Sequence, residues 1–108
     1  MNIENKQGIT RIEYAIKAHN FCPIGQDWYT SELKAVIEPN KQIPDYIELD
    51  NFVRNHIDKK ELIIEDAASV LFNHIQMQYK PKYLVVTNAV NDAKHSAVTV
   101  AKEGGCYE

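Results

Sequence analysis

The sequence predicts an α+β domain, and three observations carry that prediction. Two stretches near the N-terminal end alternate apolar and polar side chains with the period of two that a half-buried strand requires. Two β-branched stretches near the C-terminal end read as strands as well. Between these pairs the apolar residues recur at helical spacing instead. Strands that come in runs with helices between them give the order β-β-α-α-β-β, an arrangement of the α+β kind. The predicted form is a four-stranded antiparallel sheet with both helices on one face. At 108 residues the chain is one domain, 1–108, with ends expected to fray over about 1–8 and 104–108.

The first strand is ITRIEYAIKA, Ile9 to Ala18. Ile12, Tyr14 and Ile16 share one face with Thr10 and Ala18, while Arg11, Glu13 and Lys17 share the other. NFCPIGQDW then breaks the alternation with Pro23 and Gly25, which is loop chemistry. SELKAVIEP resumes it, with Leu33, Ala35 and Ile37 opposite Glu32, Lys34 and Glu38. A second loop closes at Pro44, and Asp45 is a candidate N-cap. Tyr46, Leu49, Val53 and Ile57 mark the first helix, with Phe52 beside them. After the polar DKKEL, a second helical run passes through Ile64, Ala67, Ala68, Leu71 and Ile75 and ends before Pro81. KYLVVTNAV is a strand, NDAKH a turn, SAVTVAKE the last strand and GGCYE a loose tail.

Composition narrows the function classes. Apolar residues make up 44% and charged residues 25%, ordinary for a soluble globular domain, and the net charge is −3. That charge offers no electrostatic track for a long nucleic acid, although a nucleobase-sized ligand remains open. No apolar run approaches the roughly 20 residues that span a bilayer, and MNIENKQGIT lacks the apolar core of a signal peptide. Cys22 and Cys106 read as free thiols of a cytoplasmic chain. His19, His56, His74 and His95 form no metal-like pair at helical spacing, so a zinc site is not expected.

The CPIG stretch after the first strand, within the ββααββ order, resembles the tunnelling fold (T-fold). The resemblance is to the QueF family and its short unimodular relatives, and it covers most of the chain from Arg11 to Gly105. It implies an enzyme acting on the nitrile of 7-cyano-7-deazaguanine. QueF enzymes reduce that nitrile with NADPH, whereas the QueF-like relatives add ammonia to it and make the amidine of archaeosine on tRNA. The resemblance implies that Cys22, opening the CP motif, is the nucleophile. It implies that Glu65, in LIIEDAA, grips the deazaguanine base. Three departures stand out. NADPH-dependent members carry a glycine-rich, arginine-containing segment between the last two strands, and NAVNDAKHSAV has neither residue. This favours the amidine-forming relatives, with ammonia as co-substrate and no bound cofactor. The family's histidine before the glutamate is Ile64 here. The family's proton-transfer aspartate is matched by Asp27 with a two-residue shift, or is replaced by Tyr29 when counted without gaps.

The chemistry suits these residue types. A nitrile carbon is a poor electrophile for ammonia, and a thiolate converts it into a more reactive thioimide, so one hard step becomes two easier ones. The proline after Cys22 fixes its own φ and restricts the residue before it, which gives the thiol a rigid placement. Asp27 or Tyr29, on the same loop, is placed to protonate the nitrogen. A carboxylic acid in that role needs an apolar setting, to which Trp28 could contribute. Glu65 can accept the paired N1–H and 2-amino donors of a guanine-like edge, and a position in the first turn of a helix favours its charge. Each residue also has a plainer use. Cysteines are often small buried hydrophobes, aspartates favour turns and glutamates favour helix starts. His19, three residues before Cys22, reads as an exposed strand-end residue, and Asp66 as pointing away from the ligand.

Two rival readings follow from the same fold. One is an NADPH-dependent nitrile reductase with a reshaped cofactor site. The other is a T-fold module that holds a purine or pterin and catalyses nothing. The substrate base is free, or part of tRNA or DNA. Four short strands leave two open edges, and the T-fold resemblance implies a closed homo-oligomer with sites at subunit interfaces. In that arrangement one subunit's Cys22 would meet another's Glu65. No membrane partner is expected.

Overall fold

The N-terminal alternation folds as a hairpin longer than its apolar pattern. In the computed structural model, which describes residues 3–91 and 97–105, the elements run β1 (Ile3–Glu4), β2 (Ile12–Cys22), β3 (Asp27–Glu38), β4 (Gln42–Ile43), α1 (Tyr46–His56), α2 (Ile64–Tyr79), β5 (Tyr83–Val90) and β6 (Val98–Gly104). The main sheet has four strands in the order β2-β3-β5-β6, all antiparallel. It is a meander with the helix pair inserted between its second and third strands. The α+β reading therefore holds.

Register decides which side chains face the helices. Ile12 pairs with Ile37, Tyr14 with Ala35, Ile16 with Leu33 and Ala18 with Ser31. Ala35 in turn pairs with Val86, and Val86 with Lys102. This inner face carries the core: Leu33, Ala35, Ile37, Leu84 and Val86 are at most 1% exposed. From above, Leu49, Val53 and Ile57 of the α1 stretch and Ala67, Ala68, Leu71 and Ile75 of α2 close onto it. Both helices thus cover one face. The outer face is mixed, with Lys34 bridging to Glu13 at 3.0 Å and Lys17 to Glu32 at 3.8 Å, and Val36 and Val85 half-buried between strands.

The helix boundaries have local causes. Asp45 caps α1, accepting the Ile47 N–H at 3.0 Å. Lys80, in the left-handed region at φ 45°, ends α2, and Pro81 follows it. A polar clasp joins the helices. Both carboxylate oxygens of Glu48 lie 2.9 Å from His74 Nε2, and the Tyr79 hydroxyl donates to Glu48 Oε1 at 2.7 Å. Phe52 stacks on the His74 ring with centroids 3.7 Å apart. His74 is therefore a packing residue.

The described residues nearest each end are paired. Ile3 pairs with Ile43 and Glu4 with Gln42. Asn5 stabilises the turn behind them, accepting from the Ile9 N–H at 2.8 Å and donating to the Ile9 carbonyl at 2.9 Å. Within the stretch 3–9 one asparagine satisfies both backbone groups of Ile9. At the other end Gly104 pairs with Leu84 inside β6. Gly105 lies so close to β5 that a Cβ there would stand 2.2 Å from the Lys82 carbonyl oxygen. Gly104 and Gly105 are thus held against β5. The NDAKH turn from residue 92 to His95, and Cys106, lie outside the described residues.

Candidate active site

Beyond Ala18 the inner face of the hairpin stops being apolar. Asn20 and Cys22 of β2 continue it, and Asp27, Tyr29 and Ser31 of β3 lie opposite. The last rung pairs Cys22 with Asp27. Side chains of such a directly opposed pair stand roughly 5 Å apart at Cβ. The loop expected over residues 20–28 is thus a tight turn of residues 23–26 between two strand ends. The Gln26 N–H donates to the Cys22 carbonyl at 2.8 Å, and the Gly25 N–H points at Cys22 Sγ from 3.4 Å. Gln26 takes the left-handed conformation, φ 54°, that lets the chain reverse in so few residues.

Glu65 reaches this hairpin end through the linker between the helices. Residues 58–62 lie along the end of β2. The Phe21 N–H donates to the Lys60 carbonyl at 3.1 Å, the Leu62 N–H to the Phe21 carbonyl at 3.1 Å, and the Lys59 N–H to the His19 carbonyl at 2.6 Å. That run returns the chain to the hairpin tip just as α2 begins. Ile63 caps α2 with no side-chain hydrogen bond, and Glu65 and Asp66 supply negative charge in the first turn.

The result is a cavity of about 320 Å³ lined by Cys22, Asp27, Tyr29 and Glu65, with apolar walls that include Ile24, Ile64 and Val90. All four residues singled out in the sequence line it. A single chain places Glu65 and Cys22 on one cavity. Cys22 is partly accessible and unpaired. Asp27 is exposed, and its Oδ1 accepts the Trp28 N–H at 2.9 Å. Trp28 sets its ring edge-on to Phe21, centroids 5.5 Å apart. Asp66 does not line the cavity. His19 stands on the opposite face of β2 from Cys22, by strand alternation and register, and is exposed. Among the described residues, no three His, Cys, Asp or Glu side chains gather as a metal site would require, and no helix is long and apolar enough to cross a membrane.

Tyr29 is tied to the linker between the helices. Its hydroxyl donates to the Leu62 carbonyl. Burial, with the nearby Cys22, Glu65 and Asp66 reinforcing it, pushes the phenol up to about 12. The group is therefore a donor throughout the neutral range. Its folded value lies above the ordinary one of about 10. Its contribution to stability is then complete below that ordinary value and is lost as pH rises through about 12. Tyr29→Phe is expected to flatten the fall in stability across that alkaline window, followed by urea denaturation at a series of pH values. An unchanged alkaline profile would show that the phenol is not held.

Sequence reasoning missed the polar residues behind the cavity. Asn20, Ser31 and Asn88 are 0% exposed and hydrogen-bonded to one another. The one available signal was a polar residue at inward-facing strand positions.

No family model matches the sequence, and no curated protein matches it. Solved structures do. The archaeosine synthase QueF-Like, in its apo form, aligns with a TM-score of 0.80 at 19% identity, covering 93% of this chain and 98% of that one. A protein assigned as dihydroneopterin aldolase (FolB), from Vibrio cholerae O1 biovar El Tor, aligns with a TM-score of 0.70 at 13% identity, covering 89% and 97%. The first of these lies where the sequence motifs pointed. At such identities the likeness is one of architecture, and it covers nearly the whole of each chain: this protein has the tunnelling fold.

Proposed function

We propose that the protein is a nitrile-acting, amidine-forming enzyme whose substrate is 7-cyano-7-deazaguanine. The observation that carries this reading is the meeting of Cys22, Asp27 and Glu65 on one largely apolar cavity. In the proposed reaction Cys22 sulfur bonds to the nitrile carbon, and one C–N π bond opens. Asp27 delivers a proton to the nitrogen, giving a thioimide. Ammonia then adds to the same carbon, the sulfur leaves as thiolate, and the proton lost by the added nitrogen restores the acid. The net change is nitrile plus ammonia to amidine. Glu65 accepts the paired N–H donors of the base. Tyr29, as a permanent donor, holds the cavity wall through Leu62. Apolar walls strengthen these interactions by excluding water.

Intact-mass spectrometry tests the reading. Wild-type protein mixed with 7-cyano-7-deazaguanine should gain the mass of the base. Added ammonium should discharge the adduct as the amidine, with NADPH having no effect. Discharge by NADPH as the amine would identify a reductase, and no adduct at all would identify a binding module.

The protein is further proposed to act as a closed homo-oligomer. β6 is an edge strand, and no described segment pairs with its outer side. Neighbours would cover that edge while Cys22 and Glu65 stay on one chain. Mixed assemblies of Cys22→Ala and Glu65→Gln subunits are then expected to recover no activity, because every cavity lacks one group. Recovered activity would place the two groups on different subunits.

A further inference from the structure

Three buried polar side chains form a directed chain of hydrogen bonds behind the cavity. Asn88 Nδ2 donates to Ser31 Oγ at 3.1 Å, and Ser31 Oγ donates to Asn20 Oδ1 at 2.7 Å. The remaining donors all go to backbone carbonyls of the segment that carries Glu65. Asn20 Nδ2 reaches the Ile57 carbonyl at 2.7 Å and the Lys60 carbonyl at 3.2 Å. Asn88 Nδ2 reaches the Ile64 carbonyl at 3.2 Å. Both amide groups thus spend both N–H bonds. The acceptor Asn88 Oδ1 is buried with no partner. The orientation of Asn88 follows from this geometry, because a flipped amide would set its oxygen against the Ile64 carbonyl.

Burying three polar side chains is not how a core of this kind gains stability, since apolar side chains of the same shape would serve at least as well. What the chain does achieve is spatial. It ties β2, β3 and β5 to three carbonyls, at Ile57, Lys60 and Ile64, on either side of the linker. Ile64 precedes Glu65 directly, and no side chain caps the start of α2. We propose that Asn88, acting with Ser31 and Asn20, is a positioning residue that fixes the first turn of α2 and so fixes Glu65 in the cavity that holds Cys22. This role rests on the functional reading above.

Two measurements on Asn88→Leu, a substitution of similar size, test it. In the ligand-free protein, hydrogen exchange of the amides in residues 57–66 should rise about tenfold, the effect of one lost hydrogen bond, with the last turns of α2 unchanged. Affinity for 7-cyano-7-deazaguanine, measured on the Cys22→Ala background, should also fall about tenfold. On a Glu65→Gln background the same substitution should cost less than about twofold, because a residue that acts through Glu65 has little left to lose. Equal losses on both backgrounds, or unchanged exchange, would overturn the proposal. Should Asn88→Leu fail to fold, Ser31→Ala breaks the same chain with a smaller change and is read in the same way. Should the wild type not bind the base, the functional reading fails, and the exchange measurement still decides the positioning role.

Discussion

Cys22→Ala is expected to abolish covalent capture of the nitrile, and Cys106→Ala to leave it intact. The proposed first bond is formed by sulfur, and alanine offers nothing to replace it. Ammonia alone attacks an unactivated nitrile too slowly to take over, so amidine formation should vanish with the adduct. The placement of Cys22 supports the choice of thiol. It stands on the inner face at the hairpin end, opposite Asp27, with the Gly25 N–H 3.4 Å from its sulfur. Alkylation with iodoacetamide gives a control, since the wild type should be labelled at Cys22 and protected by bound substrate. An adduct that survives in Cys22→Ala would end the thioimide proposal.

Glu65→Gln is expected to weaken binding of the base by about 2–4 kcal/mol, roughly 30- to 1000-fold. The exchange replaces one carboxylate oxygen by an NH2 group. One charge-assisted bond is lost, and a donor is set against a donor of the base edge. Isothermal calorimetry on the Cys22→Ala background separates this loss from covalent capture. The uncapped start of α2 raises the stakes, because its free N–H groups favour a negative charge in the first turn. Unchanged affinity would reduce Glu65 to a helix-start residue with no ligand.

Most of the fold was legible because its signals are local. The 3.6-residue spacing, Asp45 and Pro81 delimit both helices, and the structure places them within a residue or two of those marks. The hairpin was read short for a specific reason. Alternation is visible only while the inner face is apolar, and from Asn20 to Ser31 that face carries Asn20, Cys22, Asp27, Tyr29 and Ser31 instead. The strands therefore vanish from the pattern where the cavity begins. The four candidate side chains were legible through the family resemblance, and they line one cavity. The support behind them was not. Asn20 and Asn88 act on carbonyls tens of residues away, and no short-range pattern encodes such a bond. The β1–β4 pairing escaped for the same reason, since two-residue strands have no period to read.

The register of the sheet makes the cavity a matter of parity. Apart from Trp28 at the hairpin tip, every group that the sheet lends to it stands at an even position on β2, β5 or β6, or at an odd position on β3. Insertions and deletions should therefore be tolerated by count more than by content. Losing one residue between Ala18 and Cys22 would turn the thiol to the outer face and send its neighbour inward. Losing or gaining two would keep every side chain on its proper side and merely shift the thiol along the strand. Random length variation in this hairpin, screened for thiol capture of the nitrile, should return survivors that differ by two residues and almost none that differ by one.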